Sequence, residues 1–465
     1  MEDTEYRART ADRLTLLARA PNGDMLAIVV SRADSASEHI GDHLLNLADW
    51  TEHEEESRSD AEGGGTYHRT DGAELRTFDG LHLHLDGTAA AFDEPDLLVF
   101  ASRHSGETGP LLTAHATGNF GPAEYGGGEG SLARAAPNAL RAVRRSFEEH
   151  APGGYDFGIE CTHHGPSAVG CPSLFVELGS SEAEWADPAG AEAVARSILA
   201  LRGVDPTDYR TVVGFGGGHY APRFDRIVTE TDWRVGHVAA DWALEAMGDP
   251  RESRAVIGKA FAMSGTEFAL VDGDHPRLES VIEELGFETV SETWLRETTD
   301  VPLELVERVE RELVPVESGL RLGGSAEGYD GEFVADELPA ELLEAANGVD
   351  RAAVLEAVDE RAVAYETAEG GSLVAGAVAL AEADDRRVLV EALAAALESK
   401  YDTVEVREGE VHAAREAFDP ALAREAGVEE GPAFGRLSGG EPVEVDGETV
   451  APGEVRSARE QHFPF

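Results

Sequence analysis

The chain has 465 residues, enough to bury a large core and to divide into two or three domains. It carries 91 acidic against 38 basic residues, a formal charge of −53, and its only lysines are Lys259 and Lys400. Two cysteines, Cys161 and Cys171, exclude a disulfide framework, and no signal peptide or apolar run of membrane-spanning length is evident, so a cytoplasmic protein is expected.

The acidic excess runs through expected helices and loops alike, the pattern of a proteome adapted to a salty cytosol. At molar salt the Debye length is about 3 Å, which screens most of the self-repulsion. The global charge therefore says little against a nucleic-acid partner, and local arginines matter more. Arg141, Arg144 and Arg145 stand at i, i+3 and i+4 on a helix expected to begin near Pro137. Such a face is ordinarily solvated, and phosphate contact is the less favoured reading.

In chain order, apolar β-type runs are expected at Leu26 to Val30, Leu97 to Ala101, Leu112 to Ala116, Phe157 to Thr162, Leu174 to Leu178, Thr211 to Phe215 and Phe268 to Val271. Residues 51–74, acidic and glycine-rich, read as a surface insertion. His82 and His84 alternate with leucines, which predicts the solvent face of a strand. Asp187-Pro188 and His275-Pro276 open helices, the first running through Ala191 to Leu201. Strands alternating with helices predict an α/β domain with a layered mixed or parallel sheet flanked by helices. Composition changes near residue 315. Residues 1–315 are expected to form the catalytic domain and 316–465 an accessory α+β region, with helices at Arg351 to Glu366 and Val388 to Glu398.

Chemistry-bearing residues gather at the ends of these runs. Glu160-Cys161-Thr162-His163-His164-Gly165-Pro166 places carboxylate, thiol and imidazole groups within five residues, the types that bind a transition metal or move protons near neutral pH. Side chains alternate along a strand, so adjacent histidines serve one site only where the backbone turns, and Gly165-Pro166 supplies a break. A second cluster, Gly214-Phe215-Gly216-Gly217-Gly218-His219-Tyr220 with Arg223, lacks the spacing of a Walker loop or a dinucleotide fingerprint. A third comprises Ser102-Arg103-His104-Ser105-Gly106, His115 and Asn119. Glu177 ends a strand, where it either caps the next turn or binds. His237 either starts a helix or is a buried, satisfied histidine. No His-Glu-x-x-His, zinc ribbon or Gly-x-Ser-x-Gly elbow is present, and the residues by themselves point to a metal- or histidine-assisted hydrolase.

Taken together, these motifs resemble the archaeal and plant-type D-aminoacyl-tRNA deacylase family. The resemblance rests on Val30-Ser31-Arg32-Ala33-Asp34, Ser102-Arg103-His104-Ser105-Gly106, Thr113-Ala114-His115, Gly118-Asn119-Phe120-Gly121, Glu160 to Pro166, Phe175-Val176-Glu177-Leu178-Gly179-Ser180, Gly214 to Tyr220 and Gly236-His237, over roughly residues 25–300. Cys161 occupies a position variable in the family. The resemblance implies hydrolysis of the ester joining a D-amino acid to the tRNA 3′ ribose, a zinc requirement and a phosphorylase- or peptidyl-tRNA-hydrolase-like fold. A short stretch from Gly431 to Leu437 and Pro452 to Val455 resembles the tail of metallo-β-lactamase-type tRNA 3′-end endonucleases.

On this basis Glu160, His163, His219 and Tyr220 are expected to be catalytic. His163, His164, His219, His104, His115 and Glu177 are expected to hold zinc, with Glu160 or Glu177 orienting a ligand or acting as base. Ser102, Arg103, Asn119, Gly216, Gly217, Gly218 and Arg223 are expected to contact substrate. The expected partner is D-aminoacyl-tRNA, with no membrane partner and a monomeric state. The alternative reading is a peptidyl-tRNA hydrolase or another metal-dependent hydrolase.

Overall fold

The computed structural model describes residues 25–465, so residues 1–24 of the expected catalytic domain lie outside the described residues. The chain forms two compact units that divide between Leu295 and Arg296.

The first unit opens with β1 (Leu26–Ser31), whose side chains are buried on both faces, as expected of a strand flanked by parallel neighbours. Asp34 then caps helix α1 (Ser35–Leu47), its carboxylate accepting from the amides of Ala36 and Ser37. β2 (Thr51–Glu55) and β3 (Gly65–Thr70) form a largely exposed antiparallel hairpin in the stretch read as an insertion, and β3 leads into β4 (Ala73–Phe78). β5 (Leu97–Arg103) and β6 (Leu111–Ala116) follow, then α2 (Pro137–His150), β7 (Asp156–Ile159), β8 (Ser173–Gly179) and α3 (Pro188–Leu199). The eight strands make one mixed sheet in the order β2-β3-β4-β1-β5-β8-β6-β7. β8 lies parallel to β5 and antiparallel to β6, which places Glu177 between Ser102 and Thr113 in the register. Stacked Phe100 and Phe175, 4.7 Å apart, anchor the core under this point.

A second sheet in the same unit is wholly parallel, in the order β10-β9-β11-β12. Here β9 is Thr211–Gly216, β10 Arg234–Ala239, β11 Phe268–Asp272 and β12 Glu288–Val290. Helices α4 (Pro222–Glu230), α5 (Asp241–Met247), α6 (Arg254–Ser264) and α7 (Pro276–Glu284) connect these strands.

Residues 296–465 form the second unit. It contains α8 (Leu303–Glu312), β13 (Leu320–Leu322), β14 (Val334–Glu337), α9 (Ala340–Arg361), β15 (Ala362–Ala368), β16 (Leu373–Leu380) and α10 (Asp385–Ala396). β17 (Thr403–Arg407), β18 (Glu410–Phe418), β19 (Val443–Val445), β20 (Glu448–Val450) and β21 (Arg456–Pro464) follow, with two short helices, Pro420–Glu425 and Pro432–Ser438, between β18 and β19. The strands make antiparallel sheets of four, three and two, so the C-terminal region is α+β. The unit begins before residue 315 because 296–313 bonds forward within it: Glu297 pairs with Arg321, Arg308 with Glu332, and Glu310 accepts from the Val316 amide.

Four expectations are corrected. The helix expected over Arg351 to Glu366 ends at Arg361, and Ala362–Ala368 is an inner strand; a short apolar run fits either period. The strand expected through Thr162 stops at Ile159. His82 and His84 lie in a 3₁₀ turn, and His82 is buried edge-on to Phe100 and Phe175 with Nε2 3.2 Å from Ser37 Oγ. Arg141 and Arg144 face inward: Arg141 donates to Thr231 O, and Arg144 pairs bidentately with Asp225.

His237 sits on β10, fully buried, with Nε2 2.8 Å from Ala133 O and Nδ1 3.1 Å from Thr162 Oγ1. Burial pushes its pKa down to about 4, against the backbone bond that favours the proton. Below the unfolded value of about 6.5 the unfolded chain takes a proton that the folded chain refuses, so stability falls as pH drops toward 4. His237→Gln should therefore flatten the fall in unfolding free energy between pH 7 and pH 5 by about 2 kcal/mol, read by denaturant titration in molar KCl.

Candidate functional site

The site forms where the chain passes from one sheet to the other. After β7, the Glu160 amide still donates to Ala114 O of β6. The next two amides change partners, Cys161 N–H to His219 O and Thr162 N–H to Val238 O, both in the second-sheet region. This switch breaks strand alternation and lets neighbouring histidines share one space: the rings of His163 and His164 lie 4.4 Å apart. Gly118 N–H donates to His164 O and Gly165 N–H to Tyr125 O, fixing the turn from outside.

Around it converge His104 beyond β5, His115 on β6, Glu177 within β8 and His219 beyond β9, with Glu160 and Glu177 fully buried. His115 lies 4.5 Å from His163 and 4.7 Å from His164, ring to ring, and stacks on Phe175. Three of the imidazoles are oriented alike. Nδ1 of His115, His163 and His164 donates to Ala116 O, Cys161 O and Gly165 O at 3.0, 2.8 and 2.9 Å. That tautomer leaves each Nε2 with its lone pair, and these atoms lie within 4.8 Å of one another. His115 Nε2 is buried with no hydrogen-bond partner, an orphan costly to leave unmade.

The carboxylates stand beside them at distances longer than hydrogen bonds. Glu177 Oε1 is 3.6 Å from His115 Nε2 and 3.8 Å from His164 Nε2, and Glu160 Oε2 is 3.8 Å from His163 Nε2. Donor atoms around a tetrahedral zinc with bonds of about 2.0–2.1 Å stand roughly 3.3 Å apart, close to this spacing. The donor set, the backbone-anchored tautomers and the orphaned nitrogen thus fit a transition-metal ion.

The remaining groups have both ring nitrogens engaged. His104 Nδ1 is 3.0 Å from Glu160 Oε1 and 3.7 Å from Glu177 Oε2, while its Nε2 lies 3.3 Å from the Tyr220 hydroxyl. His219 Nε2 lies 2.8 Å from Glu160 Oε2 and its Nδ1 3.6 Å from Cys161 Sγ. Burial opposes charge on His104, yet the two carboxylates outweigh it and push its pKa up to about 10. Burial likewise works against both carboxylates, but the imidazoles of His104 and His219 beside Glu160, and of His104, His115 and His164 beside Glu177, hold both below the ordinary range. Burial, with His164 and His115 nearby, keeps His163 neutral. Burial pushes the Cys161 thiol up to about 12, so it contributes no thiolate at neutral pH.

The expected substrate contacts disperse. Ser102 is buried in β5 beside Glu177, and the Arg103 guanidinium lies 5.1 Å over Trp185. Asn119 bonds Gly126 O and Gly128 O, and Arg223 is bound by Val271 O, Asp272 and Glu292. Gly216, at φ +91°, passes so close to Asp272 O that a Cβ would overlap it at 1.9 Å; Gly217 is also left-handed, and Gly218 lies in open space. Gly179 lets the His104 ring lie against the strand, where a Cβ would meet His104 Cβ at 2.7 Å. Two neighbours of the cluster were not among the expected site residues. Thr113 faces Glu177 with an unpartnered buried hydroxyl, and Trp242, half exposed, lies nearly parallel to His219 at 6.4 Å.

Residues 91–290 match a family model described as D-aminoacyl-tRNA deacylase. A D-aminoacyl-tRNA deacylase of Natronomonas pharaonis is 72% identical over 441 residues, 95% of this chain and all of that one. The chain belongs to the D-aminoacyl-tRNA deacylase family. Family members in Halorubrum lacusprofundi and Methanoregula boonei are 53% and 32% identical, covering 95% and 94% of this chain and 97% and 98% of theirs. The crystal structure of a conserved protein of unknown function, 29% identical, matches with a TM-score of 0.53 over 60% of this chain and 98% of that one.

Glu177→Ala should leave the His104 imidazolium with half its countercharge and a void among three histidines. It should lower unfolding free energy at pH 7 in metal-free protein by about 3 kcal/mol, measured by denaturant titration, with Glu177→Gln costing less.

Proposed function

We propose that this site hydrolyses the ester of D-aminoacyl-tRNA, releasing the D-amino acid and free tRNA in a salt-rich cytoplasm. The observation that carries the reading is the trio His115, His163 and His164, each presenting a bare Nε2 from a backbone-anchored ring beside two buried carboxylates. Membership of the deacylase family supplies the substrate class.

His115, His163 and His164 would hold a zinc ion, with Glu177 as the neighbouring carboxylate. Bound zinc is a Lewis acid that lowers the pKa of water to about 7 and offsets developing oxyanion charge. The remaining residues move protons. Glu160, ionised and joined to His219 at 2.8 Å, accepts the proton of the attacking water. His219, partly exposed, passes a proton to the ribose oxygen that leaves. His104, charged between Glu160 and Glu177, keeps both carboxylates ionised and orients the Tyr220 hydroxyl, which donates toward the ester oxygen. Trp242, beside His219 and open to solvent, offers a face on which the terminal base of the tRNA stacks.

The acidic surface and the identity with haloarchaeal relatives support a halophilic setting. Among the described residues no helix is long and apolar enough to cross a membrane.

The test is turnover of D- and L-aminoacyl-tRNA and of N-blocked L-aminoacyl-tRNA in molar KCl, with and without a chelator. Turnover confined to the D-ester and lost on chelation is expected; hydrolysis of the N-blocked substrate instead would overturn the assignment. His163→Ala should abolish chelator-sensitive activity together with bound metal. His219→Ala should retain metal and lose about 10²–10⁴-fold in kcat. Trp242→Ala should raise KM several-fold with kcat nearly unchanged, because stacking is made equally in ground and transition states.

A further inference from the structure

Outside the catalytic cluster, the described residues hold one further group of histidines and a carboxylate close enough to share an ion, and it lies in the second unit. His412 on β18 and His462 on β21 stand directly opposite each other in the antiparallel ladder, their rings 4.7 Å apart. Glu460, two residues before His462, lies on the same face of the ladder. Nε2 of His412 and Nε2 of His462 point to one atom, Glu460 Oε2, at 3.5 and 4.0 Å. These separations are long for hydrogen bonds and near the roughly 3.3 Å that separates donors around a tetrahedral ion.

His462 Nδ1 lies 3.3 Å from Glu410 Oε2, so Nδ1–H donates to the carboxylate and the Nε2 lone pair is left for a metal. The opposite face of the strands is anchored, with Val411, Ala413 and Phe463 buried in the core of this unit. The ligand face is therefore held by a packed sheet while remaining open to solvent.

One neighbour competes. Arg407 Nη2 lies 3.3 Å from His412 Nδ1 and 2.8 Å from Glu405 Oε2. A metal on His412 Nε2 needs the proton on Nδ1, so Arg407 must release His412 and keep Glu405.

We propose that His412, Glu460 and His462 form a second metal site that binds a borderline divalent transition-metal ion and clasps β21 to β18. Two imidazoles and one carboxylate select zinc, nickel or copper over magnesium or calcium, and three protein donors leave positions for water.

The test is zinc uptake by the full chain in molar KCl, followed by competition with a chromophoric chelator. Wild type should take up one more equivalent of zinc than the double variant His412→Ala/His462→Ala, at equal deacylation rate per chain. Glu460→Gln, which preserves shape, should weaken that equivalent at least tenfold, and Arg407→Gln should tighten it. Equal stoichiometry in wild type and double variant, or displacement of the extra zinc by millimolar magnesium, would overturn the proposal.

Discussion

Two ionised carboxylates buried among histidines are the constraint around which the first unit is organised. Removing each of Glu160 and Glu177 from water costs several kcal/mol, which only nearby positive charge and hydrogen-bond donors offset. His104 supplies one positive charge, pinned between them at 3.0 and 3.7 Å. It does not complete the compensation: His115 Nε2 and Thr113 Oγ1 remain buried without hydrogen-bond partners. On the proposed reading, a metal ion held by the histidines would add the positive charge that one imidazolium only begins to supply. On that reading an unsatisfied group that would weaken an ordinary core, His115 Nε2, serves as a ligand atom.

The topology follows from the need to bring these groups together. Inserting β8 between β5 and β6 places Glu177 next to both Ser102 and Thr113. The crossing of residues 160–164 from the mixed sheet to the parallel sheet gives the turn that adjacent histidines require. At the end of β9 Gly216 packs against Asp272 O where no Cβ fits, and the strained residue that follows Tyr220, Ala221 at φ +43°, leads the chain into α4.

The histidine pair was legible because Gly165-Pro166 announces a break immediately after it, and the strands of the first unit were legible because their apolar runs are dense. Glu177 was ambiguous at its place in the sequence: it looks like a strand end, whereas β8 runs on to Gly179 and its partners come from two other strands. His82 was misread because Leu-His-Leu-His-Leu alternates as an exposed strand would, while the bond from Ser37, 45 residues away, draws His82 inward. Arg223, expected to contact substrate, is also held by Glu292, 69 residues along the chain, a pairing that local pattern does not show. The second-unit cluster escaped notice because His412 and His462 are neighbours only through strand pairing. Local pattern reveals element type and turns; long-range pairing decides which polar groups meet.

The charge of −53 shapes the surface and leaves the centre of the site untouched, since Glu160, Glu177, His104 and His115 are buried beyond the reach of screening. The most direct test of the central claim is anomalous diffraction at the zinc edge from crystals of the zinc-loaded protein. A peak bounded by the Nε2 atoms of His115, His163 and His164, beside Glu177, is predicted. A fully loaded, active crystal with no peak among those three nitrogens would contradict it.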